Sequence, residues 1–217
     1  MKNALQQSYN VGVQGGSKTT SYNISFGYYD QESNYKGQDF GVKRYNFRSN
    51  VVSDIGRLKL TALLAYDRQE GRSDRGGLWL SDVMRVPTYN TYDIYPDADG
   101  KYYNTDVTTG GNFLATLYHG GLTTNDDDHF QGVVSGELNI WKGLKAKAVL
   151  GYDLRSEHRL IKRRYHPVYD YIDRDKIINE SDKKDYSIED YNGKITMLNT
   201  QFLLEYNRTF NKVHNVS

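Results

Sequence analysis

The chain of 217 residues contains 28 Lys and Arg against 27 Asp and Glu, and this net charge of +1 does not suggest a nucleic-acid partner. It contains no Cys, which excludes a disulfide scaffold and any thiolate metal site. No stretch approaches the roughly 18 apolar residues of a membrane-spanning helix, and residues 1–7 lack the apolar core of a signal peptide.

Two segments show the period of two that is typical of a β-strand with unlike faces: Leu58–Tyr66 and Leu144–Tyr152. Every even-numbered residue in both segments is apolar, and both segments end on Tyr. The odd positions are mostly polar or small. An apolar face without any charge over this length is typical of a transmembrane β-strand, with lipid on one side and a water-filled lumen on the other.

The same alternation, together with turn signals between the segments, predicts seven strands and the start of an eighth. Short turns alternate with long connections, and the two longest loops are expected at about residues 71–128 and 156–191. A short helix is predicted near Leu78 to Val86, where Pro87 would end it. The strands are expected at about residues 7–14, 19–29, 42–53, 57–69, 129–140, 144–155 and 194–206.

Alternating short and long connections indicate an outer-membrane β-barrel, whose short turns lie in the periplasm and whose long loops lie outside. The predicted fold class is all-β: an antiparallel up-and-down meander that forms a partial transmembrane β-barrel of about seven to eight strands with long extracellular loops. Residues 1–217 are expected to form one fragment of the barrel domain. The pattern also fits an antiparallel sandwich, or a soluble β-domain with one packed face.

Aromatic residues lie at both ends of the predicted apolar faces. Those nearest the long loops are predicted to form a girdle at the outer lipid–water interface, where an amphipathic ring is favoured. This outer girdle consists of Tyr9, Tyr28, Tyr45, Tyr66, Phe130 and Tyr152. A sparser inner girdle is predicted from Tyr22, Trp141 and Tyr206.

Two further groups of residues are candidates for contact with a solute. Aromatic rings in the first long loop could stack on sugar faces, or could pack the loop against itself or a partner. These rings are Trp79, Tyr89, Tyr92, Tyr95, Tyr102 and Tyr103. On the polar faces of the strands, a lumen-lining role rather than a ligand-specific one is predicted for Arg44, Arg48, Lys145 and Lys147.

No catalytic, cofactor or metal site is predicted. The segment 97–100 resembles part of a calcium loop, but Tyr95 stands where another oxygen ligand is needed, so a solvated turn is predicted. The run 126–129 (DDDH) could ligate a cation, but consecutive residues point to different sides, so few of these side chains can converge. An acidic loop end is therefore expected instead. The five His residues lack a metal-binding spacing, and no nucleophile motif is present, so an enzyme is not predicted.

Several blocks of sequence resemble the barrel of SusC/RagA-type TonB-dependent outer-membrane transporters. The blocks are 15–19, 22–32 (YNISFGYYDQE) and 43–50 (KRYNFRSN), followed by 96–102 (PDADGKY) and 144–153. The group of blocks within residues 15–50 is fairly specific to the family, and the resemblance runs over nearly the whole chain. It implies a piece of about a third of a 22-stranded barrel, without the plug domain, the TonB-contacting segment, the signal peptide or the closing strand.

The resemblance implies import of oligosaccharides or peptides across the outer membrane of a Gram-negative bacterium of the Bacteroidetes type. It also implies outer-membrane lipid, TonB and a SusD-like surface lipoprotein as partners, and no cofactor. A second hypothesis of function is a soluble all-β glycan-binding module that uses the same loop aromatics. The two hypotheses differ in whether lipid or water contacts the even-numbered side chains of the fourth and sixth predicted strands.

Overall fold

A computed structural model describes residues 2–35, 37–74, 94–104, 111–179, 186–210 and 214–216. Its main element is one seven-stranded antiparallel sheet, in which each strand pairs with the next long strand of the chain. Within those ranges, no helix is long and apolar enough to cross a membrane.

The sheet has the strand order β1-β2-β3-β4-β6-β7-β9. Its strands are β1 (Gln6–Gly16), β2 (Thr20–Glu32), β3 (Gly41–Ile55), β4 (Leu58–Ser73), β6 (Gly121–Trp141), β7 (Leu144–Arg163) and β9 (Ser187–Tyr206). The remaining elements are short: β5 (Tyr102–Tyr103), the helix α1 (Phe113–His119), β8 (Val168–Tyr169), β10 (Arg208–Phe210) and β11 (His214–Val216). Strand β5 pairs in parallel with β8, and β10 pairs with β11.

The antiparallel meander and its seven predicted strands are confirmed, but several strands extend beyond their predicted ends. Strand β6 begins at Gly121 rather than near residue 129, and β7 ends at Arg163 rather than near residue 155. The predicted loops 71–128 and 156–191 are therefore too long. The extensions carry charged residues on both faces, so they lack the alternation that indicates a strand.

The sheet does not close into a barrel, because β1 and β9 form its two edges among the described strands. The predicted helix near Leu78 to Val86 lies outside the described residues, whereas α1 was not expected from the sequence. The run 126–129 lies inside β6, so its prediction as a loop end is wrong. Residues 126–129 pair with residues 155–158 of β7, and the pairing of β6 with β7 continues beyond them to Gly121 and Arg163.

Tight turns join the strands at one end of the sheet, which is called the short-turn end; the opposite end is the long-loop end. In the first turn, the backbone N–H of Ser17 donates to the Thr20 carbonyl oxygen over 2.6 Å. The Ser17 hydroxyl oxygen accepts from the backbone N–H of Thr19 and of Thr20. In two further turns, Gly56 and Gly143 have φ of +64° and +87°, a conformation that favours glycine.

The buried apolar side chains lie at the long-loop end rather than on the broad faces of the sheet. Within the described ranges they are Phe40, Tyr103, Ala115, Leu117, Ile161 and Val168. Most belong to the loop cap, defined as the described residues of 33–40, 94–120 and 164–179. The packed core of this chain is therefore formed by its loops.

The turn at Gly143 provides a test of this architecture. Ala at Gly56 or at Gly143 incurs the left-handed backbone cost of about 1–2 kcal/mol. At Gly143 the added Cβ would also lie 2.5 Å from the Asn207 carbonyl oxygen, whereas at Gly56 it would meet nothing within 4 Å. We therefore expect Gly143→Ala to lower the urea midpoint of the detergent-solubilised chain more than Gly56→Ala does. Equal midpoints would contradict the turn geometry.

Candidate functional site

The two faces of the sheet differ in chemistry because the register places like residues beside one another. Directly paired residues on neighbouring strands have their side chains on the same side of a sheet. One such row crosses six strands and contains only apolar or aromatic residues. It consists of Val11, Phe26, Phe47, Tyr66, Phe130 and Leu154.

The rows on either side of this one complete an apolar surface, which is called the apolar belt. It contains no charged residue on any strand. It comprises the odd positions 9–15 of β1 and 45–55 of β3, and the even positions 22–28 of β2, 58–66 of β4, 130–140 of β6, 144–154 of β7 and 196–206 of β9.

The apolar belt is not covered by any other part of the described chain. Many of its apolar side chains are open to the surroundings: Phe202 and Leu204 on the edge strand β9 are 81% and 72% exposed, Val11 on the edge strand β1 is 66% exposed, and Leu150 on the inner strand β7 is 51% exposed. A soluble β-domain buries such a face against a second sheet or a helix. The sandwich considered from the sequence is therefore not the arrangement of the described strands.

The apolar belt ends abruptly toward the long loops. On five strands the next position of the same face is charged: Asp30, Lys43, Arg68, Asp128 and Lys194. At this edge the hydroxyls of Tyr28 and Tyr66 donate to Asp30 and Asp128 over 3.0 and 2.5 Å. The rings thus lie on apolar surface while the hydroxyls reach polar groups, as is favoured at a lipid–water interface.

All six outer-girdle residues predicted from the sequence lie on the belt side of the sheet. Three of them form a continuous row, because the Tyr9 and Tyr28 ring centroids lie 6.4 Å apart and those of Tyr28 and Tyr45 lie 5.2 Å apart. Phe130 and Tyr152 form a second aromatic pair at 6.2 Å. Their role at a membrane interface stays a prediction.

The inner-girdle residue Trp141 reaches the belt side through an irregularity that its position in the sequence does not reveal. By simple alternation its odd number would place it on the polar face with Asn139. A β-bulge after Asn139 instead pairs Trp141 with Leu144, a belt residue. Trp141 is 74% exposed there, at the short-turn end of the belt.

The opposite face of the sheet is polar and concave. A cavity of about 840 Å³ is lined by residues from six strands, from Asn23 on β2 to Gln201 on β9. A flat sheet could not bring strands so far apart in the sheet order to one cavity, so the sheet curves around its polar side. The four predicted lumen-lining cations, Arg44, Arg48, Lys145 and Lys147, all lie on this concave face, and Arg48 lines the cavity.

The charges of the concave face are partly paired within the protein. Lys145 Nζ lies 3.5 Å from Glu137 Oε1, and Arg44 Nε donates to Gln69 Oε1 over 2.8 Å. In the cavity wall, Asp153 Oδ2 lies 3.0 Å from His129 Nε2 and accepts from Gln131 Nε2 over 2.8 Å. This cluster joins β6 to β7 across their register and was not predicted from the sequence.

The long connections pack together at the long-loop end. Gln38 Nε2 donates to the carbonyl oxygens of Leu117 and Gly121, which attaches the β2–β3 connection to α1. Asn112, 1% exposed, caps the N-terminus of α1 by accepting from the Ala115 N–H over 2.9 Å. Its side-chain amide also donates to the carbonyl oxygen of Tyr103 over 2.8 Å.

The parallel pair of β5 and β8 joins the two longest excursions of the chain. Lys101 Nζ lies 3.2 Å from Asp175 Oδ1 and 4.9 Å from the centre of the Tyr169 ring. The Arg174 guanidinium lies over the rings of Tyr103 and Tyr171 at 5.3 and 5.9 Å. These contacts make one unit of two loops that are far apart in the sequence.

The structure describes only part of the predicted aromatic loop set. Trp79, Tyr89 and Tyr92 lie outside the described residues. Tyr103 is 5% exposed and packs inside the loop cap, whereas Tyr95 is 63% exposed. Tyr102 is partly exposed, and its hydroxyl lies 3.3 Å from His119 Nε2. Packing of the loop accounts for Tyr103, and the sugar-stacking role of the set stays a prediction.

Asp97 organises the turn that was predicted at residues 97–100. Its carboxylate accepts hydrogen bonds from the Tyr103 hydroxyl at 2.6 Å and from the backbone N–H of Lys101 and Asp99. These donors, Tyr103 first, hold the pKa of Asp97 below its usual value, and the same bond raises the pKa of Tyr103. Gly100 closes the turn with φ of +79°.

No protein-family model matches this chain, and no curated protein matches it in sequence. Among the described residues, no group of three or more ionisable side chains is arranged to hold a metal ion. The SusC/RagA resemblance therefore stays a prediction.

The loop cap should respond to acid through Asp97. A carboxylate whose folded pKa is depressed stabilises the fold above its unfolded pKa of about 3.9, and this contribution disappears as the pH falls through the lower folded pKa. We expect amide hydrogen exchange of residues 94–104, corrected for intrinsic rates, to rise as the pH falls below about 4.

In Asp97→Asn, amide hydrogen exchange of residues 94–104 should already be fast at pH 6 and should no longer depend on pH in this way. Asp99→Asn is the matched control, because only the backbone N–H of Asp99 takes part in the turn. Wild-type pH dependence in Asp97→Asn would show that Asp97 is not the responsible group.

Proposed function

We propose that this chain forms part of the wall of an outer-membrane β-barrel transporter. The apolar belt faces lipid and the concave face lines an aqueous passage for solutes. The observation that carries the proposal is the uncovered, charge-free belt on the convex side of a sheet whose concave side is polar. This is the arrangement that a barrel wall needs between hydrocarbon and water.

The dimensions of the belt support the proposal. From Leu144 to Leu154 the belt follows β7 for about 33 Å at 3.3 Å per residue. A strand tilted by about 40° would convert this length to a height of about 25 Å, the usual height of the apolar band of such barrels. Exposure of the same surface to water would cost roughly 25 cal/mol for each Å² of apolar area.

The polarity of the strands supports an orientation. Long loops face outward in outer-membrane barrels, so the loop cap is on the extracellular side and the short turns are periplasmic. The solute is an oligosaccharide or a peptide, as the resemblance to SusC/RagA-type transporters implies. TonB and a SusD-like lipoprotein are the partners that the same resemblance implies for the whole transporter.

Cysteine labelling tests the proposal with a matched pair of neighbours. Leu63 and Leu64 are equally exposed, at 41% and 40%, but lie on the concave face and in the belt respectively. In outer membranes we expect Leu64→Cys to react with a membrane-restricted probe and to resist an aqueous maleimide. We expect Leu63→Cys to show the reverse pattern.

Leu150→Cys on β7 should behave as Leu64→Cys does, because its register places it in the same belt. Ready reaction of both belt cysteines with the aqueous reagent would exclude the lipid-facing wall. That outcome would favour the soluble glycan-binding module instead.

Charge substitution gives a second, energetic test. Leu150 lies near mid-height of the belt and its neighbour Val149 lines the cavity. Leu150→Arg should reduce the stability of the lipid-inserted chain by about 2–4 kcal/mol, because the guanidinium would enter hydrocarbon. Val149→Arg should cost much less, since its side chain remains in water. Urea titration of folding into phospholipid vesicles measures both; a larger loss for Val149→Arg would reverse the assignment of the faces.

A further inference from the structure

The concave cavity contains one cation that the described protein does not neutralise. Arg48 and Asp153 are the charged residues of its lining. Asp153 is engaged by Gln131 and His129, and Arg155 Nε lies 3.7 Å from its other oxygen. The Arg48 side chain, by contrast, makes no hydrogen bond and no ion pair with any residue that the structure describes.

The immediate neighbours of Arg48 are neutral. Its cross-strand partners are Ser25 on β2 and Ala65 on β4. The short Ala65 side chain leaves open space beside the guanidinium. The nearest acidic residue on this face by register is Asp67, one diagonal step away, and it does not form an ion pair with Arg48. The guanidinium is therefore free to bind an anion from the cavity.

Other polar side chains of the cavity are also unused by the protein. None of them makes a side-chain hydrogen bond with the described part of the chain: Asn23, Ser25, Asn50, Asn199 and Gln201. Between the amides of β2–β3 and those of β9 lies an apolar strip of Leu63, Val133 and Val149, and Met197 extends it onto β9 beside Asn199. The cavity therefore offers one cation, several neutral hydrogen-bonding groups and an apolar floor.

We propose that this cavity is a solute-binding subsite for a carboxylate-bearing ligand, with Arg48 binding the carboxylate and the amides binding hydroxyl or amide groups along the ligand. This inference rests on the proposed function, because it takes the concave face as the wall of the solute passage. A planar guanidinium binds a carboxylate through paired, charge-assisted hydrogen bonds. The volume of about 840 Å³ lies within the range of small-molecule sites.

The carboxylate could come from an acidic sugar or from the end of a peptide, and matched probes separate these sources. We would measure binding of trigalacturonic acid against maltotriose, and of tetra-alanine against its carboxyl-terminal amide, to the full chain in detergent micelles by calorimetry. The carboxylated member of at least one pair should bind about tenfold tighter or more, a difference that shrinks at high salt. The pair that shows it identifies the source.

Arg48→Gln should abolish this preference and Arg48→Lys should retain part of it, because a lysine keeps the charge without the fork. Arg44→Gln is the matched control: Arg44 shares the strand and face of Arg48, but bonds Gln69 and lies outside the cavity lining. Equal binding within both pairs, no binding of any probe, or equal losses in Arg48→Gln and Arg44→Gln would each overturn the subsite.

The labelling of Leu64 and Leu63 reports separately on the membrane wall. Lipid-facing labelling without carboxylate preference would overturn the subsite alone. Carboxylate preference in a chain whose belt cysteines react readily with the aqueous maleimide would overturn the transporter and leave a soluble binding module.

Discussion

The cross-strand register of the seven-stranded sheet is the constraint on which the rest of this structure depends. Side chains alternate between faces with a period of two, so a slip of one residue between two strands would move a complete apolar set to the polar side. From Val11 to Leu154 the register instead keeps one row apolar across six strands. The belt, the polar concave face and the aromatic edge all follow from that alignment.

The division of the sheet into an apolar and a polar face is what the proposed wall between lipid and water would require. In water, an uncovered belt that includes Phe202, Leu204 and Leu198 would have no compensating burial, and the described chain supplies no second layer. In a bilayer the same residues would contact hydrocarbon, which is favourable, and the polar side chains of the concave face would remain in water. The tyrosine hydroxyls that reach Asp30 and Asp128 lie where these two surroundings would meet.

The loop cap follows a different principle from the sheet, because its stability depends on side-chain amides that bond to loop backbone. Asn112 joins α1 to Tyr103, Asn104 accepts from the Tyr171 N–H, and Asn179 bonds Val168 and the carbonyl oxygen of His166. Buried backbone groups without regular secondary structure need such partners. The loop cap therefore provides the packed core of the described chain, and the sheet provides the apolar belt on one face and the polar concave surface on the other.

The amino-acid pattern by itself determined the seven strands, their short turns and the face of each outer-girdle residue, because alternation over a strand is a local property. It did not predict the outer ends of β6 and β7, where charged residues occupy both faces and only pairing with neighbours keeps the strand. Tertiary structure alone decided that a bulge turns Trp141 to the belt, that Asp153 meets His129, and that Arg48 stays unpaired in a cavity of six strands. These features depend on which residues of distant segments become neighbours, and the sequence of one strand does not specify which residues of other strands lie beside it.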